Sequence, residues 1–316
     1  MKNRYKVVCF LIVAWLVPLG KLWPQEAIKS IISKQDTLPY LINDEKIKPL
    51  RTLVDERLQK KLEIEVKNSA TWNSLLKKKK MAIGIVDLSN PENAKFARLN
   101  GDKMMYAASL PKLAILLSTS QALEDNIFEE SKDVLDDMRL MMSKSDNQAA
   151  TRLIDLVGLN RIEKTLRDPK YELYDPNRGG GLWVGKRYAK VGRRNGDPLY
   201  NISHGATVTQ VCRFYYLLAL GKLVSRERSY QMLEMMGDPE IHHKFVNALD
   251  RLAPHAKVYR KSGTWKNWHA DSAIVWGTAW RRYIVVGLIE DKNGEQILRN
   301  LIPAVEKVLI ENLDNS

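Results

Sequence analysis

Three short runs carry side chains that could do chemistry together: Ser109-Leu110-Pro111-Lys112, Ser145-Asp146-Asn147 and Lys261-Ser262-Gly263. At the start of a helix, residues three apart share a face, so the Lys112 ammonium can reach the Ser109 hydroxyl. A lysine partly desolvated beside other cations loses its proton more easily and can act as the base for a serine nucleophile. The same helix start brings backbone N–H groups and the positive end of the helix dipole near any oxyanion formed at Ser109. In the second run Ser145 offers a hydroxyl that can relay a proton, and Asn147 an amide that can hold a substrate carbonyl. In the third, Lys261 and Ser262 offer a cation and a hydroxyl to a carboxylate, and Gly263 lets a substrate backbone lie close to a strand. The chemistry these residue types fit is attack of a serine on an acyl carbon.

Each run taken singly also has a structural reading. The S-x-x-K spacing recurs at Ser74-Leu75-Leu76-Lys77, on what reads as a helix surface. Ser109 alone fits a helix cap with an incidental lysine. Ser145 to Asn147 fits a cap for a helix over 148–157, since Ser, Asp and Asn favour that position. Lys261 and Ser262 fit an edge pair before a glycine bulge.

The elements that must position these runs follow from hydrophobic period. Ile47, Leu50, Leu53, Val54, Leu58 and Leu62 predict one helix from Glu45 onward. Short apolar runs at 81–88 and 96–99, separated by the turn Asn90-Pro91, predict a strand pair. Helices are predicted over 113–123, 134–142, 148–157, 206–220, 230–236 and 242–252. Runs rich in Val, Ile, Tyr and Trp at 257–264, 270–276 and 282–289 predict three strands. A last helix over 295–313 contains Pro303, which implies a kink. The order places an antiparallel sheet between the N- and C-terminal helices, with a helical lobe inserted: α/β plus all-α. The expected divisions are 45–104 with 223–316 for the α/β lobe and 105–222 for the helical lobe. Residues 179–203 are rich in Gly, Arg and Asn, and they are too long for a plain connector. They are expected to border the cleft and set substrate choice.

The chain has 316 residues, 45% of them hydrophobic, enough to bury a sizeable core. Lys2, Arg4 and Lys6 precede an uncharged run over residues 7–19, the pattern of an export signal. That run is shorter than the roughly 20 residues a spanning helix needs, although retention as an N-terminal membrane anchor stays open. Residues 1–24 are thus read as signal or anchor and 25–44 as a linker or arm, in an exported, periplasmic or extracellular protein. Loss of 1–24, with Lys2, Arg4, Lys6 and Lys21, takes the net charge from +13 to +9. The remaining basicity suits an acidic envelope surface or an anionic substrate, and no nucleic-acid module accompanies it. Only Cys212 remains after residue 24, inside an apolar run, so an inert buried thiol is expected. With no H-E-x-x-H and no cysteine pair, neither a metal nor another cofactor is expected.

The three runs in this order, on a helix start, an interhelical loop and a strand, form the signature of class A β-lactamases and penicillin-binding proteins. From about residue 45 to its end the chain resembles that family, with class A-like serine hydrolases the nearest match. The resemblance implies Ser109 as the acylated nucleophile and Lys112 as its base or proton relay. It implies Ser145 passing a proton to the leaving nitrogen, and Asn147 orienting the substrate amide. Lys261 and Ser262 would bind the carboxylate, beside Gly263, and the N–H groups of Ser109 and Thr264 would form the oxyanion hole. Asp146 is expected to pin its loop. A monomer acting on a β-lactam or a cell-wall peptide-like substrate is implied. The alternative is a non-hydrolytic penicillin-binding or D,D-peptidase-like protein with slow deacylation.

The sequence departs from that family in two places. Only 36 positions separate Ser109 from Ser145, fewer than is typical of class A, which implies a more open cleft. The deacylating glutamate of the family stands in an E-x-x-L-N context that is missing here. Glu172, in Tyr171-Glu172-Leu173-Tyr174-Asp175-Pro176-Asn177, is the nearest candidate for that base. No arginine stands on the strand 270–276 as a second carboxylate anchor.

Overall fold

The computed structural model describes residues 37–278 and 280–313. The expected signal or anchor, and the arm up to residue 36, lie outside these residues. From Leu38 on, the described residues form one unit. In chain order its longer elements are α1 (Glu56–Lys67), α2 (Ala70–Lys77), β1 (Met81–Asp87), β2 (Lys95–Leu99), β3 (Met105–Tyr106), α3 (Lys112–Glu124), α4 (Lys132–Ser143), α5 (Asn147–Val157) and α6 (Leu159–Arg167). They continue with β4 (Tyr174–Asp175), β5 (Gly180–Gly181), β6 (Trp183–Val184), β7 (His204–Ala206), α7 (Val208–Ala219), α8 (Arg226–Met236), α9 (Phe245–Leu252), β8 (Lys257–Trp265), β9 (Trp268–Trp276), β10 (Arg282–Glu290) and α10 (Gly294–Leu313).

Five strands make one antiparallel sheet in the order β2-β1-β10-β9-β8. All seven residues of β1 are buried, because the sheet is covered on both faces and alternate side chains feed two separate cores. Ile83 and Ile85 point to a core shared with Leu58 and Leu62 of α1, Phe245 and Leu249 of α9, and Leu298 and Leu301 of α10. Ala82 and Val86 point to the other core, shared with α3, α5, α7 and α8. Between them Gly84 lets α7 come close: a Cβ there would lie 2.7 Å from Cys212 Sγ. Cys212 is fully buried, and burial pushes its thiol far up, as expected of an inert core cysteine.

The first helix starts later than its apolar spacing implies. Residues 44–46 and 50–53 are 3₁₀ turns on either side of Pro49, and α1 begins only after Asp55, whose carboxylate accepts from Leu58 N at 2.7 Å. Proline disrupts a continuous helix, and Asp55 supplies the cap that lets a new one start. His242 and His243, expected on a helix, precede α9, because Lys244 takes φ +53° just before its first turn. Helix α6 buries Ile162, Thr165 and Leu166 on one face. Among the described residues, no helix is long and apolar enough to cross a membrane.

Candidate active site

Helix α3 is buried on nearly every side, Lys112 and Leu113 to Ser120 included. Leu113 to Leu117 are apolar all round, as the inside of a buried helix should be, so the ammonium of Lys112 in its first turn must find partners inside the protein. The turn that leads into it carries Ser109. Ala108 sits at φ +51°, Leu110 N donates to Ala107 O at 3.0 Å, and Lys112 N to Ser109 O at 3.2 Å. Ala107 N is held in turn by His204 O at 2.9 Å. Strand β8 passes close beside this turn. A Cβ on Gly263 would lie 2.2 Å from Ala107 O and 2.7 Å from Ser109 N, so only glycine fits there. Gly263→Ala should push the Ser109 turn and β8 apart. The expected result is loss of at least about 100-fold in any reactivity at Ser109, comparable to losing an oxyanion donor. Near-UV circular dichroism should stay close to that of the parent.

The second run meets both lysines. Lys112 Nζ donates to Ser145 O at 2.5 Å and Asn147 Oδ1 at 2.7 Å, with Ser145 Oγ at 3.5 Å. Lys261 Nζ reaches the same Ser145 Oγ at 2.8 Å and Ser262 O at 2.8 Å. Ser145 has φ +57°. Asp146 caps α5 by accepting from Ala149 N at 2.7 Å. Lys112, Ser145, Asn147 and Lys261 therefore converge beside the Ser109 turn. Ser262 Oγ lies 3.3 Å from His243 Nε2, and Thr264 Oγ1 accepts from Lys244 Nζ at 2.7 Å.

Burial without a carboxylate contact moves these amines. Lys112 is pushed down to about 7, chiefly by burial, with nearby Asp146 opposing. Lys261, fully buried, is held well below the lysine range by burial and by the charge of Lys112. A neutral fraction of Lys112 at neutral pH is what a base for serine needs.

Glu172 is not brought to this cluster. Its side chain is 62% exposed and pairs with Arg213 Nη2 at 3.4 Å. Its neighbour Tyr171 bonds Gln121, near the far end of α3 from Lys112. Among the described residues, no carboxylate hydrogen-bonds Lys112. Tyr188, in the 179–203 segment, takes the space over it. The Tyr188 ring centroid is 4.6 Å from Lys112 Nζ, the hydroxyl donates to Ala108 O at 3.1 Å, and the ring lies 4.3 Å from that of His204. Burial raises the Tyr188 phenol well above its ordinary range and lowers His204 to about 4. The segment thus borders the Ser109 turn, as its length and composition led us to expect.

The sequence reading missed a set of buried charges behind β8. Arg260 and Asp271 form an ion pair at 2.7 Å, 3% and 0% exposed. Lys244 Nζ spends all three of its protons, on Gly263 O, Thr264 Oγ1 and Ala270 O at 2.7, 2.7 and 3.1 Å. Burial lowers it to about 8. A carboxylate in the middle of an apolar strand was the one available signal for this set.

An antiparallel sheet backed by terminal helices, with a helical layer carrying a buried S-x-x-K lysine, defines a β-lactamase-like α/β fold. The chain belongs to the beta-lactamase enzyme family, whose model matches residues 130–313; Ser145, Asn147 and Lys261 lie inside that span, and Ser109 and Lys112 before it. Among solved structures, it is similar to a beta-lactamase from Sphaerobacter thermophilus, with 19% identity and a TM-score of 0.57 over 72% of this chain and 91% of that one. It is similar to a beta-lactamase from Chitinophaga pinensis, with 14% identity and a TM-score of 0.60 over 82% and 99%. A point variant of PBP-A, solved as an acyl-enzyme complex with penicillin G, matches with 16% identity and a TM-score of 0.58 over 85% and 100%. At these identities the likeness is one of fold. No curated protein matches the chain.

Proposed function

We propose that this protein is an exported serine acyl-transfer enzyme that takes a β-lactam or a related cell-wall peptide-like amide and forms an acyl-enzyme at Ser109. The observation that carries this reading is the convergence of Lys112 and Lys261 on Ser145 beside the Ser109 turn. Neutral Lys112 takes the Ser109 proton as the serine oxygen bonds to the acyl carbon. The Ser145 hydroxyl, between the two lysines, returns a proton to the nitrogen as the C–N bond breaks. Asn147 orients the substrate amide, and Lys261 and Ser262 attract its carboxylate. The Ser109 and Thr264 N–H groups, set by the fit of Gly263, receive the oxyanion.

Release of the acyl group is the slow step in this reading, which makes the protein penicillin-binding or D,D-peptidase-like in behaviour. Efficient hydrolysis needs a base that activates water next to the ester, and the groups bonded to Lys112 are a carbonyl, a hydroxyl and an amide. Tyr188, protonated at neutral pH, stands over Lys112 and cannot serve as that base. Glu172→Gln should accordingly leave the lifetime of a penicillin adduct within about twofold, because its exposed carboxylate pairs with Arg213, away from Lys112. Adduct decay followed by intact-mass spectrometry checks this. A lifetime extended tenfold or more would assign Glu172 to deacylation instead.

A further inference from the structure

The segment that carries Tyr188 has a second side. Its base is fixed: Asn195 N donates to Gly185 O at 2.6 Å, and Trp183 Nε1 to Asn195 O at 2.9 Å. A Cβ at Gly185 would collide with Asn195 O. Between these anchors Lys186 and Arg194 form an antiparallel bridge. One wall of this small hairpin is Tyr188, against Ala108 and Lys112. The other wall, with Arg187, Arg193 and Asn195, closes a cavity of about 740 Å³ against the end of α5 and the start of α6.

That cavity has an apolar floor of Ile154 and Val157 and a rim of four cations: Arg161, Lys164, Arg187 and Arg193. Arg187 pairs with Asp155. Arg161, Lys164 and Arg193 have no carboxylate partner among the described residues, so the rim holds an uncompensated positive charge that a concave wall concentrates. None of Ser109, Lys112, Ser145, Asn147 or Lys261 lines it. We propose that this cavity binds an anionic group, a phosphate or a clustered carboxylate, on a ligand separate from the acylating substrate. Planar guanidinium forks suit both groups. The inference goes beyond the acyl-transfer reading and does not depend on it.

Titration calorimetry of the full chain with inorganic pyrophosphate and, separately, citrate tests this. At low salt at least one probe should bind with one-to-one stoichiometry, the tighter one naming the anion class. The Arg161→Gln, Lys164→Gln double variant should weaken binding at least tenfold. Lys190→Gln, which removes one charge from the same hairpin without touching the cavity, should leave it within twofold, as should Ser109→Ala. Retained binding by a cavity variant whose circular dichroism is unchanged would overturn the proposal. So would an equal loss in Lys190→Gln, a loss in Ser109→Ala, or no saturable binding of either probe.

Discussion

Replacing Lys112 by methionine is expected to slow acylation at Ser109 by about 10²- to 10⁴-fold, the usual contribution of a positioned base, with the fold retained. Methionine matches the length of the buried stem, and the five residues that follow it, Leu113 to Leu117, are apolar and buried. The substitution leaves Ser145 O and Asn147 Oδ1 without their donor, at about 1–3 kcal/mol each if no water replaces it. Relief of a buried ammonium offsets part of that cost. The pH profile distinguishes a base from a spacer. With Lys112 titrating near 7, acylation by the parent should rise about tenfold per pH unit below 7 and level off above. The methionine variant should lose that limb. Stability should carry the same signature. The folded lysine gives up its proton near 7 and the unfolded one near 10.5, so the unfolded state binds more protons between those values. Parent stability therefore gains with pH across that window, and the variant should lack this contribution. Stopped-flow acylation and urea melts at pH 6, 7, 8 and 9 measure both.

Asp271→Ala should produce the largest loss of stability, about 3–5 kcal/mol, the cost of stranding a buried charge. Asp271 accepts from Arg260 Nε and Nη2 and from Phe245 N at 2.7, 2.9 and 3.1 Å, so one carboxylate ties β8, β9 and the first residue of α9. It also supports the charge of Lys244 and Lys261. Removing it leaves Arg260 and Lys244 buried behind the Gly263 strand without a carboxylate. Differential scanning calorimetry should show a fall in Tm of about 10 °C or more. Asp271→Asn, which keeps an acceptor oxygen, should fall in between. A change under 2 °C for alanine would mean that the cations are compensated by other groups.

The parts of the molecule written in local pattern were legible in the sequence. Ser109 and Lys112 share a helix start, and β8 to β10 are runs of branched and aromatic residues between short breaks. What escaped was set by tertiary pairing. The apolar spacing from Ile47 to Leu62 suggested one helix, and Pro49 with the Asp55 cap split it. Lys244 reads in sequence as one more basic residue after two histidines. Only the register of β8 against β9 gives it three acceptors. Glu172 was singled out for its type and its place after the second run. The fold turns that position toward Arg213, near the far end of α3, and gives the space above Lys112 to a tyrosine in the segment noted for length and composition alone. The match of the family model to residues 130–313 fits this division, since the Ser109 assignment came from motif order and not from that span.

The most direct test of the account is intact-mass spectrometry of the full chain after a few minutes with penicillin G, followed by peptide mapping and a decay series. The account predicts a gain of one penicilloyl group on Ser109, absent in Ser109→Ala, with an adduct that persists for minutes to hours. No adduct, together with no turnover of a chromogenic cephalosporin, would contradict acylation of Ser109 by β-lactams. An adduct on any residue other than Ser109 would contradict the site itself.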